Sequence, residues 1–391
     1  DHLPEDLKLG NNVWLSAYGP HSWDYRARVT DQQTDLTIPR GKATGGSSAI
    51  NGQVLYRGIP EDYDNWSALG NDEWAFTKVL PYFRKMETDL DFSGDFHGSD
   101  GPVPVRRYPR NEWMPHSVAF EEACLALGFQ ADADQNHPES TGVSPRARNT
   151  IDGVRISMAL AYLDLARHRL NLTIKANCTT HRLLFDGKRC IGVEVESAGE
   201  IFQVFGEEIV LSAGAIGSPH ILMLSGVGPE DQLKPLGIPI VQHLSGVGQN
   251  MRDHPNLSVK FSARDSLPDD TLGRRAVRLR YTAEGSSTPN DMILSPSSLN
   301  TVIPEGEDPT HTIGCGLYLA KGSGELRLTS ADPQEKPQMD YRYLQDPWDR
   351  QRLREAVRLS VRLFDNAAFK DVLAGRVAPT DRDLASDEAH V

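Results

Sequence analysis

Leu211-Ser-Ala-Gly-Ala-Ile-Gly-Ser-Pro-His-Ile-Leu-Met-Leu-Ser-Gly-Val-Gly228 is the stretch that decides how this chain is read. An apolar strand over 208–212 runs into a turn of small residues, and the spacing predicts a helix that starts at Ser218-Pro219. Serine is a good N-cap, and proline suits the first helical position because it brings no N–H to leave unpaired. Gly214 and Gly217 let backbone approach something flat or charged, with no Cβ in the way. Alone, a strand-turn-helix of this kind is often only tight packing. A second glycine-rich turn, Gly41-Lys-Ala-Thr-Gly-Gly-Ser-Ser-Ala-Ile-Asn51, argues for more. Successive N–H groups in such a turn form a concave anion site where a helix begins, here expected near 48–55.

A chain of 391 residues is too long for one compact core, so two lobes are expected. Its 39% apolar and 24% charged residues are those of an ordinary globular protein. A formal charge of −13 speaks against nucleic acid as a partner, since nothing here would neutralise a phosphate backbone. The short run Arg274-Arg275 to Arg280, broken by Val277 and Leu279, reads as a solvated or edge strand. Cys124, Cys178, Cys190 and Cys315 stand far apart, with no C-x-x-C pair, and read as small buried apolar residues in a reducing compartment. A cytoplasmic location is expected: no apolar run reaches membrane-spanning length and no signal-peptide pattern opens the chain.

Along the chain, 1–40 reads as loop and 90–104 as a Gly/Asp-rich loop. A helix is expected over 115–127, with Pro115 at its first position and Gly128 at its stop, and another from Ser157. Short β-branched strands are expected at 172–174, 182–185, 191–195, 201–204 and 209–212, with turns at Asp186-Gly187 and Ala198-Gly199. Alternating strands at 257–261, 277–281, 292–294, 313–319 and 326–328 suit an antiparallel sheet with one solvated face. The last element is a helix from Pro347, capped by Asp346, with Leu353, Ala356, Val357, Val361 and Phe364 as its apolar stripe. Arg350, Arg352, Arg354, Arg358 and Arg362 read as its solvated side.

The two glycine turns together resemble the glucose-methanol-choline (GMC) family of FAD-dependent oxidoreductases. The 211–228 segment matches one of that family's characteristic segments at essentially every position. The other is Pro39-Arg-Gly-Lys-Ala-Thr-Gly-Gly-Ser-Ser-Ala-Ile-Asn51, followed by Tyr56-Arg57-Gly58 and Asp62-Tyr-Asp-Asn-Trp66. It departs at Thr44, usually aliphatic, and at Leu55, usually aromatic or small. Segments 171–174, 192–195, 246–255 and 326–333 agree as well, so the resemblance covers nearly the whole chain.

The resemblance implies an α/β fold, α+β overall. It has a Rossmann-like FAD-binding lobe and a substrate lobe with an antiparallel sheet and flanking helices. Carried onto this chain, 1–58 and 171–255 form the FAD lobe, 59–170 and 256–345 the substrate lobe, and 346–391 a helix and the start of a return to the FAD lobe. Ala43 to Ser47, with Gly45 and Gly46 between them, should run along the cofactor. Gly46 and Ser47 should face phosphate or ribitol, and Asn51, Gly52, Gln53 and Val54 should lie near the isoalloxazine. Thr180, where the family usually has valine, should meet the adenine through its main chain, and Ala213 and Gly214 should approach the adenosine part.

Residues 1–40 contain no strand followed by G-x-G-x-x-G, and 246–251 and 226–231 lack the third glycine. The family's pyrophosphate-binding unit is therefore expected before Asp1 and its catalytic-histidine segment after Val391, with the 391 residues inactive alone. Neither His220 nor His390 has a spaced partner to orient it, and His254 reads as a hydrogen-bonded structural residue, so no catalytic residue is assigned. No spacing suggests a metal or hydrolase site. The implied reaction is oxidation of a small-molecule alcohol, with the electron acceptor unspecified. Within the family, hydroxynitrile lyases and fatty-acid photodecarboxylases stay open, and outside it a non-catalytic binding remnant. Asp291 and Met292 read equally as pocket wall and as strand positions.

Overall fold

A computed structural model describes residues 4–10, 17–33, 35–264, 276–298 and 310–385. Two hydrophobic cores organise them. The larger lies under a six-stranded sheet whose strands run in the order Leu373–Ala378, Asn256–Ala263, Thr310–Leu317, Met292–Ser298, Val277–Tyr281, Gly142–Pro145. Every neighbouring pair is antiparallel. Period-two alternation sorts the faces. Val277, Leu279, Met292, Leu294, Ile313 and Cys315 enter the core, while Arg278, Arg280 and Gly314 point the other way.

The core side is roofed by the helices Pro115–Ala126 and Pro347–Phe364. Asp346 caps the longer one, accepting hydrogen bonds from Trp348 N at 2.8 Å and Asp349 N at 3.2 Å. Its expected stripe packs on the sheet, with Leu353, Ala356, Val357 and Phe364 buried. The segment 346–391 goes on to give this sheet its edge strand, Leu373–Ala378.

The smaller core joins Tyr25, Ala27 and Val29 to Ile216 and Met223 and to Leu326, Met339 and Tyr341. The expected strand at 326–328 belongs here: Glu325–Arg327 pairs with Gln338–Asp340 and not with the large sheet. Beside this core lies an antiparallel meander, Thr179–Asp186, Arg189–Ser197 and Glu200–Phe205, turning where the sequence predicts. Ala198 and Gly199 take positive φ, 52° and 81°, as a tight hairpin turn requires.

Three sequence expectations fail here. Residues 172–174 and 209–212 have no ladder partner among the described residues, and an extended segment without one is not a strand. The second helix is Gly214–Leu224, four residues earlier at its start than Ser218-Pro219 implies. Pro219 is tolerated inside it, and Ser218 Oγ instead accepts from Ala213 N at 3.1 Å. Arg278 and Arg280 sit on an interior strand, each 7% exposed, so they are neither solvated nor at an edge. Arg274, Arg275 and His390 lie outside the described residues.

Candidate functional site

The first glycine turn is held open by close backbone packing. Gly45 and Gly46 have φ of 93° and 56°, which the short turn of helix Gly46–Ala49 needs at its entry. A Cβ on Gly41 would overlap the Gly46 carbonyl, so glycine is required there too. Ser47 Oγ accepts from Gly41 N at 3.1 Å. Ser48 Oγ donates to Gly45 O at 2.6 Å and accepts from Met158 N at 3.0 Å, seating the turn on the segment that opens the π-helical stretch Ala159–Asp164. The N–H groups of Thr44 and Gly45 make no hydrogen bond to any described residue.

Of the other residues in this stretch, Ala43, Gly52 and Val54 are half-buried and Ser47 and Asn51 exposed. Gln53 is the exception: it is 1% exposed and has φ of 60°. Its Nε2 donates to Gly10 O at 2.5 Å and its Oε1 accepts from Thr150 Oγ1 at 2.6 Å. Its main chain is engaged too: Gln53 N donates to Asn51 Oδ1 at 3.0 Å, and its carbonyl accepts from Asn149 N at 3.0 Å.

At the second turn Ala213 and Gly214 are exposed, and Gly214 has φ of 81°. The first N–H groups of helix Gly214–Leu224 have no partner within it, which makes its start an anion-favouring end. Leu183 N donates to Ser225 Oγ at 2.8 Å, tying this helix to strand Thr179–Asp186 and so to half-buried Thr180. The two turns grow from one core, since Ile38 packs against the cluster that contains Ile216. Arg40, just before the first turn, pairs with Asp253 at 3.1 Å. Unbonded main-chain donors beside small side chains suit a flat, phosphate-bearing cofactor such as FAD.

His254 is held by stacking, not by a side-chain hydrogen bond. Its ring lies 4.1 Å from that of Tyr318 at 20°, whereas its Nδ1 is 3.9 Å from Asp253. Asp291 and Met292 are fully buried, Asp291 against Arg352 and Met292 in the larger core. Arg352 is no solvated arginine: 1% exposed, it pairs at 2.6 Å with both Asp291 and Asp349.

Sequence reading also missed a buried charge cluster in the 90–104 loop. His97 Nε2 lies 3.0 Å from Asp134 and its Nδ1 3.1 Å from Asp89. Arg107 reaches Asp89 at 3.0 Å and Asp134 at 2.5 Å, and Arg57 pairs with Glu87. Asp134, Asp89 and Glu87 raise the His97 pKa to about 11, so it stands as an imidazolium. Glu87, Asp89 and His97 have ligand atoms within 4.8 Å of one another, as a metal would need. Two guanidinium groups and the imidazolium already answer those carboxylates, so a metal would have to displace the His97 proton. The cluster's members stand at 57, 87, 89, 97, 107 and 134, a spacing that does not mark them as one cluster in the sequence.

A large antiparallel sheet roofed by helices thus stands with a second core that carries the two glycine turns. The chain belongs to the GMC oxidoreductases: models of that family match residues 24–256 and 320–390. It is 34% identical to an uncharacterised GMC-type oxidoreductase of Rhodococcus erythropolis, over 94% of this chain and 72% of that one. It is 35% identical to a 5-(hydroxymethyl)furfural oxidase of a Methylovorus strain, over 93% and 70% of the two chains. An oxygen-dependent choline dehydrogenase of Sinorhizobium fredii shares 32% identity over 96% and 73%. Among solved structures, pyridoxine 4-oxidase from Mesorbium loti superposes with a TM-score of 0.92 at 26% identity, over 100% of this chain and 79% of that one. The protein is thus an oxidoreductase acting on CH–OH donors, with FAD as its cofactor. No helix among the described residues is long and apolar enough to cross a membrane.

Proposed function

We propose that the protein oxidises a small-molecule alcohol by moving a hydride from the alcohol carbon to the flavin. FAD, when bound, supplies the hydride acceptor at N5. The observation that carries this reading is the pair of glycine turns beside one core, the first with the Thr44 and Gly45 N–H groups unbonded among the described residues. Ala43 to Ser47 then run along the cofactor, with Gly46 and Ser47 facing phosphate or ribitol, while Gly214, with Ala213, approaches the adenosine part. Thr180 offers main chain to the adenine, and Asn51, Gly52, Gln53 and Val54 flank the isoalloxazine. The lobe assignment follows from this: 1–58 and 171–255 serve the cofactor, and the large sheet serves the substrate.

Relatives named choline dehydrogenase and 5-(hydroxymethyl)furfural oxidase support an alcohol as the electron donor. The test is to purify the full-length protein, record its visible spectrum, and add alcohols anaerobically in the dark. Bleaching of the flavin bands by an alcohol, followed by turnover with a dye or with oxygen, is the expected result. A colourless product would defeat the flavin reading. A yellow protein that no alcohol reduces would point instead to lyase or light-driven chemistry.

A further inference from the structure

In a chain of net charge −13, the six strands of the large sheet contain no aspartate or glutamate. They carry Lys260, Arg278, Arg280 and Arg376 instead. Among these, Arg278 is the unusual one. It is 7% exposed and faces away from the helix-covered core. Its guanidinium lies 4.4 Å from the Tyr56 ring centroid and 5.8 Å from that of Tyr318. Among the described residues, Nη1 reaches only the Tyr318 hydroxyl, at 3.4 Å, and Nε has no partner. Arg280 beside it donates to two backbone carbonyls, Gln135 O at 3.2 Å and Ser140 O at 2.9 Å. No ion pair joins either arginine to a described carboxylate.

Burying a cation without a counter-charge is costly. Arg57, Arg107 and Arg352 are equally buried, and each is answered by a carboxylate. The Tyr56 hydroxyl, also buried, is likewise without a hydrogen-bond partner among the described residues. The place is connected to the surface: Tyr318 stacks on His254, whose side chain is 50% exposed. Gly316 makes room for this ring, since a Cβ there would come within 3.0 Å of it. Tyr56 lies two residues beyond Val54, at the end of the stretch assigned to the isoalloxazine.

We propose that this face recognises a carboxylate on the substrate, with Arg278 as its counter-ion and the Tyr56 hydroxyl as a second donor. The inference rests on the flavin reading, which makes the sheet face beside Val54 the substrate side. The substrate class is then an alcohol that also bears an acid group. A quaternary ammonium alcohol meets a like charge here.

The test is calorimetric titration of the full-length protein as purified. The probes are 4-(hydroxymethyl)benzoate, the uncharged 4-(hydroxymethyl)benzamide, and choline. A charge-assisted bond should make the acid bind about tenfold tighter than the amide, with choline weakest. Arg278→Gln should erase the acid-to-amide ratio and leave the visible flavin spectrum unchanged, while Arg278→Lys should keep part of it. Equal binding of acid and amide by the unmodified protein overturns the proposal, whether or not Arg278→Gln folds. So does a ratio that survives Arg278→Gln. A colourless protein that still prefers the acid refutes the flavin reading alone, and a yellow protein without the preference refutes this one alone.

Discussion

Replacing Arg352 with methionine should show what the buried ion cluster contributes. Arg352, Asp291 and Asp349 have side chains 1%, 0% and 2% exposed. The guanidinium donates to Asp291 Oδ2 and Asp349 Oδ1, both at 2.6 Å, and to Leu319 O at 3.0 Å. Methionine keeps most of the stem's packing and removes the charge, leaving two carboxylates in the core. Removing one partner of such a set costs about 3–5 kcal/mol. Here the carboxylates keep other donors. Asp291 retains Ala283 N at 2.9 Å and Ser286 Oγ at 2.7 Å; Asp349 retains Lys321 N at 3.0 Å and Gly322 N at 2.9 Å. Those donors blunt the loss, so the lower end, about 3 kcal/mol, is expected. Urea unfolding followed by circular dichroism and by tryptophan fluorescence reads it, Trp348 lying 5.6 Å from the guanidinium. The double change Arg352→Met with Asp291→Asn should lose less than the two single losses added, by about 1–3 kcal/mol. A single-mutant loss under about 1 kcal/mol, or strict additivity, would refute the reasoning.

Two histidine sites should respond to pH in opposite directions. Burial, and for His116 its neighbour His311, lowers these pKa values to about 3 and about 4 from 6.5, with the rings 4.7 Å apart. Their neutral forms are preferred on folding, so stability is full above pH 6.5 and falls as pH drops toward 4, by about 1.4 kcal/mol per group per pH unit. His311→Leu should give a shallower fall in Tm between pH 6.5 and 4.5. His97 is raised to about 11, so its contribution is full below pH 6.5 and lost as pH rises toward 11; the stability gap to His97→Gln should narrow on that climb. Gly41→Ala, forced against the Gly46 carbonyl, should lower flavin content on purification sharply. Gly214→Ala meets open space and only φ strain at 81°, about 1 kcal/mol, so it should lower flavin content far less.

Hairpins and amphipathic helices were legible because their signals are local. Gly187 and Ala198-Gly199 mark turns by themselves, and Asp346-Pro347 announces a capped helix start. The strands expected at 172–174 and 209–212 show the limit of that logic. Their β-branched residues state a preference for extended backbone, but a strand is completed by a neighbour, and none of the described residues supplies one. The glycine turns were found from backbone chemistry, whereas nothing local shows that the Gln53 side chain answers to Gly10 and Thr150, far away in the chain.

Charge is where reading in sequence order fails most. Arginines alternating with Val277 and Leu279 declare a two-faced strand, and alternation cannot tell a face in water from a face in a cleft. Arg352 shares its helix with Arg358 and Arg362, yet a turn of the helix separates a core ion cluster from solvent. The whole-chain value of −13 hides a sheet with no carboxylate, because strands from 142 to 378 contribute to it. Once the pairing order is known, Arg278 ceases to be part of a basic run and becomes a buried cation lacking a counter-charge. Among the buried arginines, those with carboxylate partners in the protein are accounted for by the fold. Arg280 shares that lack but is held by the Gln135 and Ser140 carbonyls, whereas Arg278 lies between the Tyr56 and Tyr318 rings.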